Sequence, residues 1–196
     1  GEKNILFVNM AWGLGLGIII DGNLYYGKSG FSGEFGHFCM FENEVLCHCG
    51  KKGCLETEAS GSAFHRILME RYREGSNTIL AGELDSGEEI SLGDLLEAVR
   101  KEDVLCIDIL EKMGVNLGKG IAGLMNIFNP ELVILGGTLS LAGEYISLPV
   151  KSAIRKYSLN MVNQDTEIKI SKLGERAGAF GACLLSRSKL LGMIHY

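Results

Sequence analysis

The chain has 196 residues and a formal net charge of -5 at pH 7, with 46% hydrophobic and 22% charged residues. This balance is typical of one globular domain that is long enough to bury a core without disulfide bonds. The apolar runs are too short to span a bilayer, no secretory signal pattern occurs, and the acidic charge disfavours direct binding of a nucleic-acid backbone.

The spacing of the six cysteines favours a reducing compartment over a secreted disulfide scaffold. Cys47, Cys49 and Cys54 lie close together, whereas Cys106 and Cys183 lie in apolar segments that are predicted to be helical. Buried free thiols beside a cysteine cluster suit the cytoplasm better than an oxidising environment. We therefore expect a cytoplasmic protein.

The predicted elements begin with three antiparallel strands. A mostly apolar run at 4–10 predicts the first strand, and a turn with glycines at positions 13, 15 and 17 follows it. Residues 16–20 and 23–26 predict the second and third strands, since the pair Asp21-Gly22 between them is a strong hairpin signal. Residues 27–36 and 39–53 have little to fill a core and predict irregular structure.

The rest of the chain alternates between predicted helices and strands. Ser91 and Asp103 are predicted N-caps, with Asp94 as the capping partner of Ser91. Pro149 is a candidate interruption of one helix, and 74–89 is predicted to be a loop. The predicted helices cover 63–73, from the Ser91 cap to Arg100, from the Asp103 cap to about Phe128, 141–157 and 176–190, and the predicted strands are 131–137 and 166–173.

This order of elements predicts an α/β fold. A three-strand meander followed by helix, strand, helix, strand and helix is the order of a ribonuclease H-like lobe, the unit that actin-like ATPases and sugar kinases use twice. An irregular loop would be inserted after the meander.

A cluster of nitrogen and sulfur ligands lies at the second irregular segment. Closed structural zinc sites have four tetrahedral ligands, commonly three thiolates and one imidazole. Gly50 and Gly53 let the backbone bend between the cysteines, and Lys51 and Lys52 moderate the charge of the thiolates. Since four ligands leave no position for a catalytic water, the expected Zn²⁺ is structural. The candidate ligands are His37, Cys47, Cys49 and Cys54.

Two further residues compete as ligands. His48 lies between two candidate cysteines, and alternate residues of an extended segment face opposite sides, so His48 is expected to face away. Cys39 remains a reserve ligand. The alternative is that the cysteines are exposed thiols and His37 an ordinary polar loop residue, which the crowding of three cysteines disfavours.

These residues resemble the signature of the ROK family, named for repressors, unassigned open reading frames and sugar kinases. Glu34-Phe35-Gly36-His37, followed by C-x-C-G-x-x-G-C-x-E at 47–56, is similar to the specific motif of that family. The glycine-rich hairpin at 13–22 resembles its phosphate loop. Residues 133–137 and 178–182 resemble its adenosine-side strand and final helix, so the resemblance covers nearly the whole chain.

The resemblance implies a sugar site. Glu34, His37 and Glu56 would contact the hydroxyls of a pyranose, and His37 would serve metal and sugar through its two ring nitrogens. The alternatives are that Glu34 is a solvated loop carboxylate and that Glu56 is a charge stabilised by a helix N-terminus. If ATP binds, the resemblance places Gly13, Gly15, Gly136 and Gly137 on the nucleotide side.

The resemblance also shows what these residues lack. Family kinases carry a D-x-G-G-T turn and a catalytic aspartate in an Asn-Asp pair on a first lobe, and neither motif occurs here, so no catalytic residue is assigned. We expect residues 1–196 to form a single C-terminal lobe, with its zinc loop at about 37–56, and the first lobe and any DNA-binding domain to be absent. Family kinases also carry a small hydroxyl residue before the glycines, where this chain has Met10-Ala11-Trp12; alternatively, Trp12 simply packs at the lobe boundary.

The expected function is the sugar-binding effector lobe of a ROK-type transcriptional regulator. Its expected partners are a small-molecule sugar and further copies of itself, with DNA bound only through a domain outside this chain and no membrane. The alternative is the C-terminal lobe of an ATP-dependent hexose or N-acetylhexosamine kinase, in which case ATP is a cofactor. A stand-alone zinc-bearing interaction domain is a third hypothesis.

Overall fold

The computed structural model describes residues 1–192, apart from the side chain of Glu175. The strands are β1 (Ile5–Met10), β2 (Leu14–Ile20), β3 (Asn23–Leu24), β4 (Leu132–Gly136) and β5 (Glu167–Ile170). The helices are α1 (Glu56–Ala59), α2 (Gly61–Arg73), α3 (Ala81–Ser86), α4 (Leu92–Arg100), α5 (Val104–Phe128), α6 (Glu144–Tyr157), α7 (Asn160–Asp165) and α8 (Ala177–Leu190). Short 3-10 helices lie at Phe35–His37, Thr138–Ala142 and Gly174–Arg176.

The strands form one mixed sheet in the order β3-β2-β1-β4-β5, so the predicted α/β class is confirmed. The central strand β1 is antiparallel to β2 and parallel to β4, and β5 is parallel to β4. Asn9, near the end of β1, lies opposite Gly15 on one side and Gly136 on the other. The carboxyl end of β1 is therefore flanked by glycines from both neighbouring strands.

The hairpin between β2 and β3 has the predicted turn but a shorter third strand. Asp21 and Gly22 both have positive φ, 51° and 78°, as a two-residue type I′ turn requires. Strand β3 covers only Asn23–Leu24 because, after the Tyr25 amide donates to Ile18, the chain turns away at Gly27 with φ 69°. Strand β2 begins at Leu14, earlier than predicted, since Gly15 already pairs with β1.

The predicted helix caps are confirmed, but three short helices were not predicted. Ser91 and Asp94 form a capping box on α4, and the Asp103 carboxylate accepts from the Cys106 amide at 2.9 Å at the start of α5. The prediction of a loop at 74–89 is wrong where α3 forms. This helix is capped at its end by Gly87, which has φ 74°. Helices α1 and α7 are likewise additions, and all three have too few residues for a periodic apolar pattern.

The long helix α5 packs closely against α6. Helix α6 continues through Pro149, so the predicted interruption does not occur. A Cβ on Gly114 would lie 2.8 Å from the Pro149 Cβ, and one on Gly118 would lie 2.6 Å from the Ala153 Cβ. The two glycines of α5 therefore let α6 approach to a distance that any larger residue would prevent.

The final helix α8 is the least buried of the long helices. None of its residues is buried, and Phe180 and Leu184 are about half exposed. Across residues 1–192, no helix is both long enough and apolar enough to cross a lipid bilayer.

Replacing Gly118 tests this helix packing. Gly118→Ala gains helix propensity of about 1 kcal/mol, yet its methyl group would overlap the Val150 carbonyl and the Ala153 side chain. Overpacking of this kind costs about 1–3 kcal/mol, so we expect a net loss of stability in urea unfolding.

Gly123→Ala is the matched control on the same helix. Gly123 is exposed and an added Cβ would have no neighbour within 4 Å, so this change should stabilise the protein by about 0.5–1 kcal/mol. Equal shifts of the unfolding midpoint for the two variants would contradict the close approach of α5 and α6.

Candidate functional site

Four ligand atoms converge where the irregular loop meets the start of α1. All of them lie within 4.8 Å of one another, with the Cys47 Sγ 3.5 Å from the His37 Nδ1 and the Cys49 Sγ 3.6 Å from the Cys54 Sγ. Bonds of about 2.3 Å to sulfur and about 2.0–2.1 Å to nitrogen would hold the ligands of a tetrahedral zinc about 3.5–3.8 Å apart. The donor set and these spacings fit such an ion. The group consists of His37, Cys47, Cys49 and Cys54.

Backbone hydrogen bonds bend the loop so that the ligands meet. The Gly50 amide donates to the Cys47 carbonyl at 2.9 Å, and the Cys47 amide donates to the Lys51 carbonyl at 2.8 Å. Gly53 has φ 78°, and a Cβ there would overlap the Phe41 carbonyl oxygen. A glycine is therefore required at Gly53, both by its conformation and by the close approach of Phe41.

The three thiols differ in their ease of ionisation. Burial raises the pKa of the Cys54 thiol to about 12 and also raises the pKa of Cys47. A hydrogen bond from the backbone of Lys51 lowers the pKa of Cys49. Metal ions bind thiolates, so occupation of this cluster would release protons from the buried sulfurs.

The two competing ligands lie outside this group. His48 is exposed, and its ring is not among the converging atoms. Cys39 is also exposed, and its thiol donates weakly to the Lys52 carbonyl at 3.7 Å.

The two ring nitrogens of His37 face different partners. While Nδ1 is directed at the Cys47 sulfur, Nε2 lies 3.7 Å from the Glu34 Oε2. Glu34 is exposed, immediately before the 3-10 helix that carries His37. The imidazole therefore bridges the sulfur cluster and an open carboxylate.

Glu56 ties the loop to the turn between β1 and β2. Its Oε2 accepts from the Leu14 amide at 2.9 Å, and its Oε1 accepts from the Cys47 thiol at 3.8 Å. Gly36 leaves room for this carboxylate, since a Cβ there would lie 3.2 Å from the Glu56 Oε2. A cavity of about 220 Å³ opens beside Glu56, and Cys47, His48 and Arg66 also line it.

The four glycines assigned to the nucleotide side lie at one edge of the sheet. Gly15 and Gly136 flank Asn9, and Gly13 ends the turn that follows β1. Gly137 has φ 82°, and a Cβ there would overlap the backbone of Met10. The structure thus brings them together around the carboxyl end of β1, although they are far apart in sequence.

The turn after β1 is bonded to the first turn of α2. The Ala11 carbonyl accepts from the Gly61 amide at 2.8 Å, and the Trp12 carbonyl accepts from the Ser62 amide at 2.9 Å. The Trp12 ring is half exposed and lies 5.9 Å from the His65 ring, measured between centroids.

A charged network behind the loop was not predicted. Asn43 donates to the Glu58 Oε1 at 2.8 Å, and Arg66 lies 3.5 Å from the same oxygen while donating to the Thr57 carbonyl at 2.7 Å. Burial raises the pKa of Glu58, and the positive charges of Arg66 and Lys112 oppose that shift. The network anchors the loop to α1 and α2. The helical periodicity of the sequence could not predict this network, because its partners come from three separate segments.

Comparison with known proteins identifies the family. The sequence profile of the ROK family matches residues 1–189. A glucokinase of Halalkalibacterium halodurans is 35% identical over 182 residues, which cover 92% of this chain and 55% of that protein. A xylose repressor of Caldicellulosiruptor bescii is 32% identical over 198 residues, which cover 99% of this chain and 48% of that protein.

The fold agrees with these sequence matches. The crystal structure of a ROK family glucokinase from Streptomyces griseus in complex with glucose and AMPPNP superposes with a TM-score of 0.84 at 30% identity, covering 96% of this chain and 62% of that one. The chain spans about half the length of the curated relatives it matches. On its sequence and its fold, this chain belongs to the ROK family.

Proposed function

We propose that this chain is the sugar-binding effector lobe of a ROK-type transcriptional regulator. The observation that carries the proposal is the arrangement of His37, which presents one nitrogen to the sulfur cluster and the other to the open Glu34 carboxylate. Glu56 lies against the same cluster through Cys47. An imidazole that is held in place by a metal and lies between two carboxylates is suited to hydrogen bond with the hydroxyls of a sugar ring.

The proposed metal is a structural Zn²⁺ held by His37 and the three clustered cysteines. When bound, it would supply folding free energy and fix the loop, with no open position for a substrate. It would also hold His37 through Nδ1, which leaves Nε2 to hydrogen bond with a ligand.

The proposed sugar contacts are Glu34, His37 and Glu56. Glu34 is open to solvent, so both of its oxygens are able to accept from sugar hydroxyls. Glu56 has one oxygen held by the Leu14 amide, which fixes the orientation of the carboxylate. Its second oxygen faces Cys47, beside the cavity of about 220 Å³.

The turn after β1 favours the regulator over the kinase. Ala11 and Trp12 of the turn, like Met10 at the end of β1, offer no side-chain hydroxyl to a phosphate, and the carbonyls of the two turn residues are bonded to α2. The resemblance of this chain to a xylose repressor is in keeping with this assignment.

The alternative is the C-terminal lobe of an ATP-dependent hexose or N-acetylhexosamine kinase. Its support is the meeting of Gly13, Gly15, Gly136 and Gly137 at one sheet edge, where backbone could approach a nucleotide closely. The similarity to a glucokinase and to a structure holding glucose and AMPPNP points the same way.

The remaining proposals concern the wider assembly. We propose that residues 1–196 form one lobe, and that DNA is read by a domain outside it, since the chain spans about half the length of its relatives. Self-association in the cytoplasm is proposed on the exposed apolar side chains of α8 and of Trp12.

Replacing one cysteine tests the metal centre. The purified protein should hold about one equivalent of zinc, and Cys47→Ser should lower both the zinc content and the melting temperature, because a structural metal contributes to folding. Elemental analysis and thermal unfolding are the measurements. Cys183→Ser, which changes an exposed thiol on α8, is the control and should alter neither. Equal zinc content in the Cys47 variant and the parent would exclude this ligand set.

Replacing Glu34 separates the sugar contact from the metal. Glu34→Gln removes a charged acceptor worth about 1.5–3 kcal/mol, so sugar binding should weaken about 10- to 150-fold in calorimetric titration of hexoses and N-acetylhexosamines. Zinc content should be unchanged, because Glu34 is not among the converging ligands.

Glu42→Gln makes the same change of charge at another exposed carboxylate, within the metal loop. This variant should bind sugar as the parent does. If Glu34→Gln also binds with the affinity of the parent, Glu34 has no part in the site.

A phosphorylation assay tests whether this chain has kinase activity on its own. We expect no turnover when this chain is mixed with ATP and glucose or N-acetylglucosamine, because it has neither the D-x-G-G-T turn nor the Asn-Asp pair of the family kinases. The glucokinase of Halalkalibacterium halodurans serves as the positive control in the same coupled assay. Turnover comparable to that enzyme would overturn the regulator proposal in favour of the kinase.

A further inference from the structure

Cys39 lies directly across a short ribbon from Cys54. The two residues form an antiparallel bridge, flanked by hydrogen bonds from the Met40 amide to Gly53 at 2.8 Å and from the Leu55 amide to Phe38 at 2.9 Å. Because these bonds belong to the flanking residues, the cysteines form a non-hydrogen-bonded pair. In such pairs the Cα atoms are about 4.5 Å apart and both side chains lie on the same face.

This spacing is within the range that a disulfide requires. Bridged cysteines have Cα atoms about 4.4–6.8 Å apart. Both thiols are free, with the Cys39 sulfur directed at the Lys52 carbonyl and the Cys54 sulfur 3.6 Å from Cys49. Gly53 has no side chain to separate them, and rotation about the two Cα–Cβ bonds would turn one sulfur towards the other.

The two cysteines differ in access to solvent and in their proposed role. Cys54 is only 1% exposed and belongs to the group of converging ligands, whereas Cys39 is exposed and does not. Oxidation of thiols follows their exposure. Of the two, a solution oxidant would therefore reach Cys39 first, and Cys54 lies opposite it in the ribbon.

We propose that Cys39 is a redox-modification site that takes a peroxide as its oxidant and controls release of the metal. This inference rests on the metal centre of the proposed function. Cys39 attacks one peroxide oxygen, which yields a sulfenic acid at Cys39 and reduces the other oxygen to water. The Cys54 thiolate then attacks the Cys39 sulfur, a disulfide forms, and the departing hydroxide takes up a proton to give a second water.

The link between Cys39 and Cys54 removes one of the four ligands from the metal. The three that remain are an incomplete tetrahedral set, and the metal is then lost to solution as the freed thiolates take up protons. A thiol reductant that cleaves the disulfide would restore the ligand set. The ribbon thus places Cys39, which is not a ligand, opposite the ligand Cys54. A disulfide between them would remove Cys54 from the metal.

A different disulfide competes with this one. The sulfurs of Cys49 and Cys54 are 3.6 Å apart, so they are also placed to be linked. With the metal bound, however, both of these sulfurs are ligands, and Cys39 is the free thiol of the loop. Mapping of the linkage therefore distinguishes the proposed pathway from oxidation of the ligand cysteines themselves.

The experiment measures zinc and disulfides together. The zinc content of the reduced protein is determined first; hydrogen peroxide is then added, zinc release is followed with a metallochromic dye, and peptide mapping locates the disulfide. Cys39→Ser is the test variant, and Cys183→Ser, which removes an exposed thiol of α8, is the matched control.

We expect release of roughly one equivalent of zinc together with a disulfide between Cys39 and Cys54, both reversed by dithiothreitol. Release should be lost in Cys39→Ser and retained in Cys183→Ser. Unchanged release from Cys39→Ser, or a disulfide between Cys49 and Cys54 in the parent, would overturn the proposal. Reduced protein without zinc would instead contradict the metal centre and with it the release step, while the mapping would still decide whether Cys39 and Cys54 are linked.

Discussion

The hydrogen bond from the Leu14 amide to Glu56 is the contact on which the arrangement of the site depends. Glu56 begins α1 two residues after Cys54, the last cysteine of the loop, and Leu14 begins β2 directly after the turn. The cysteine-bearing loop packs Met40 and Phe41 against the core, and its Asn43 donates to Glu58 of α1. The Glu56 carboxylate adds the direct link from Cys47 of the sulfur cluster to the turn after β1, with charge-assisted strength that a neutral side chain would not match.

Around this contact and in the helical layer, neighbouring segments approach each other closely at glycines. Gly36 and Gly13 leave room for the Glu56 carboxylate, while Gly114 and Gly118 let α6 lie against α5. Such packing cannot relax when a side chain is added, because carbonyl groups and Cβ atoms form the opposing surface. Both the site and the packing of α6 on α5 therefore require glycine at a small set of positions.

Features that depend on neighbouring residues could be predicted from the sequence. The caps at Ser91 and Asp103 and the turn at Asp21-Gly22 were of this kind, since each is determined within four residues. The cysteine spacing also predicted which sulfurs converge. These signals are local, so neither the sheet nor the packing is needed to interpret them.

Features that depend on pairing between distant segments could not be predicted. The bond between Asn43 and Glu58 and the opposition of Cys39 and Cys54 both arise from how the loop folds back. Helix α3 is too short to show a period, and α6 continues through Pro149, which packs against Gly114 of the facing helix. In each case the deciding partner lies outside any local window of the sequence.

The bonding of the turn to α2 has a consequence for observing the protein. The carbonyls of Ala11 and Trp12 hold the first amides of α2, so the turn and that helix should move as one body. Trp12 is the single tryptophan of the chain, half exposed and close to the His65 ring. All indole emission therefore originates at this one junction, which gives the native chain a built-in optical reporter of any separation of the turn from α2.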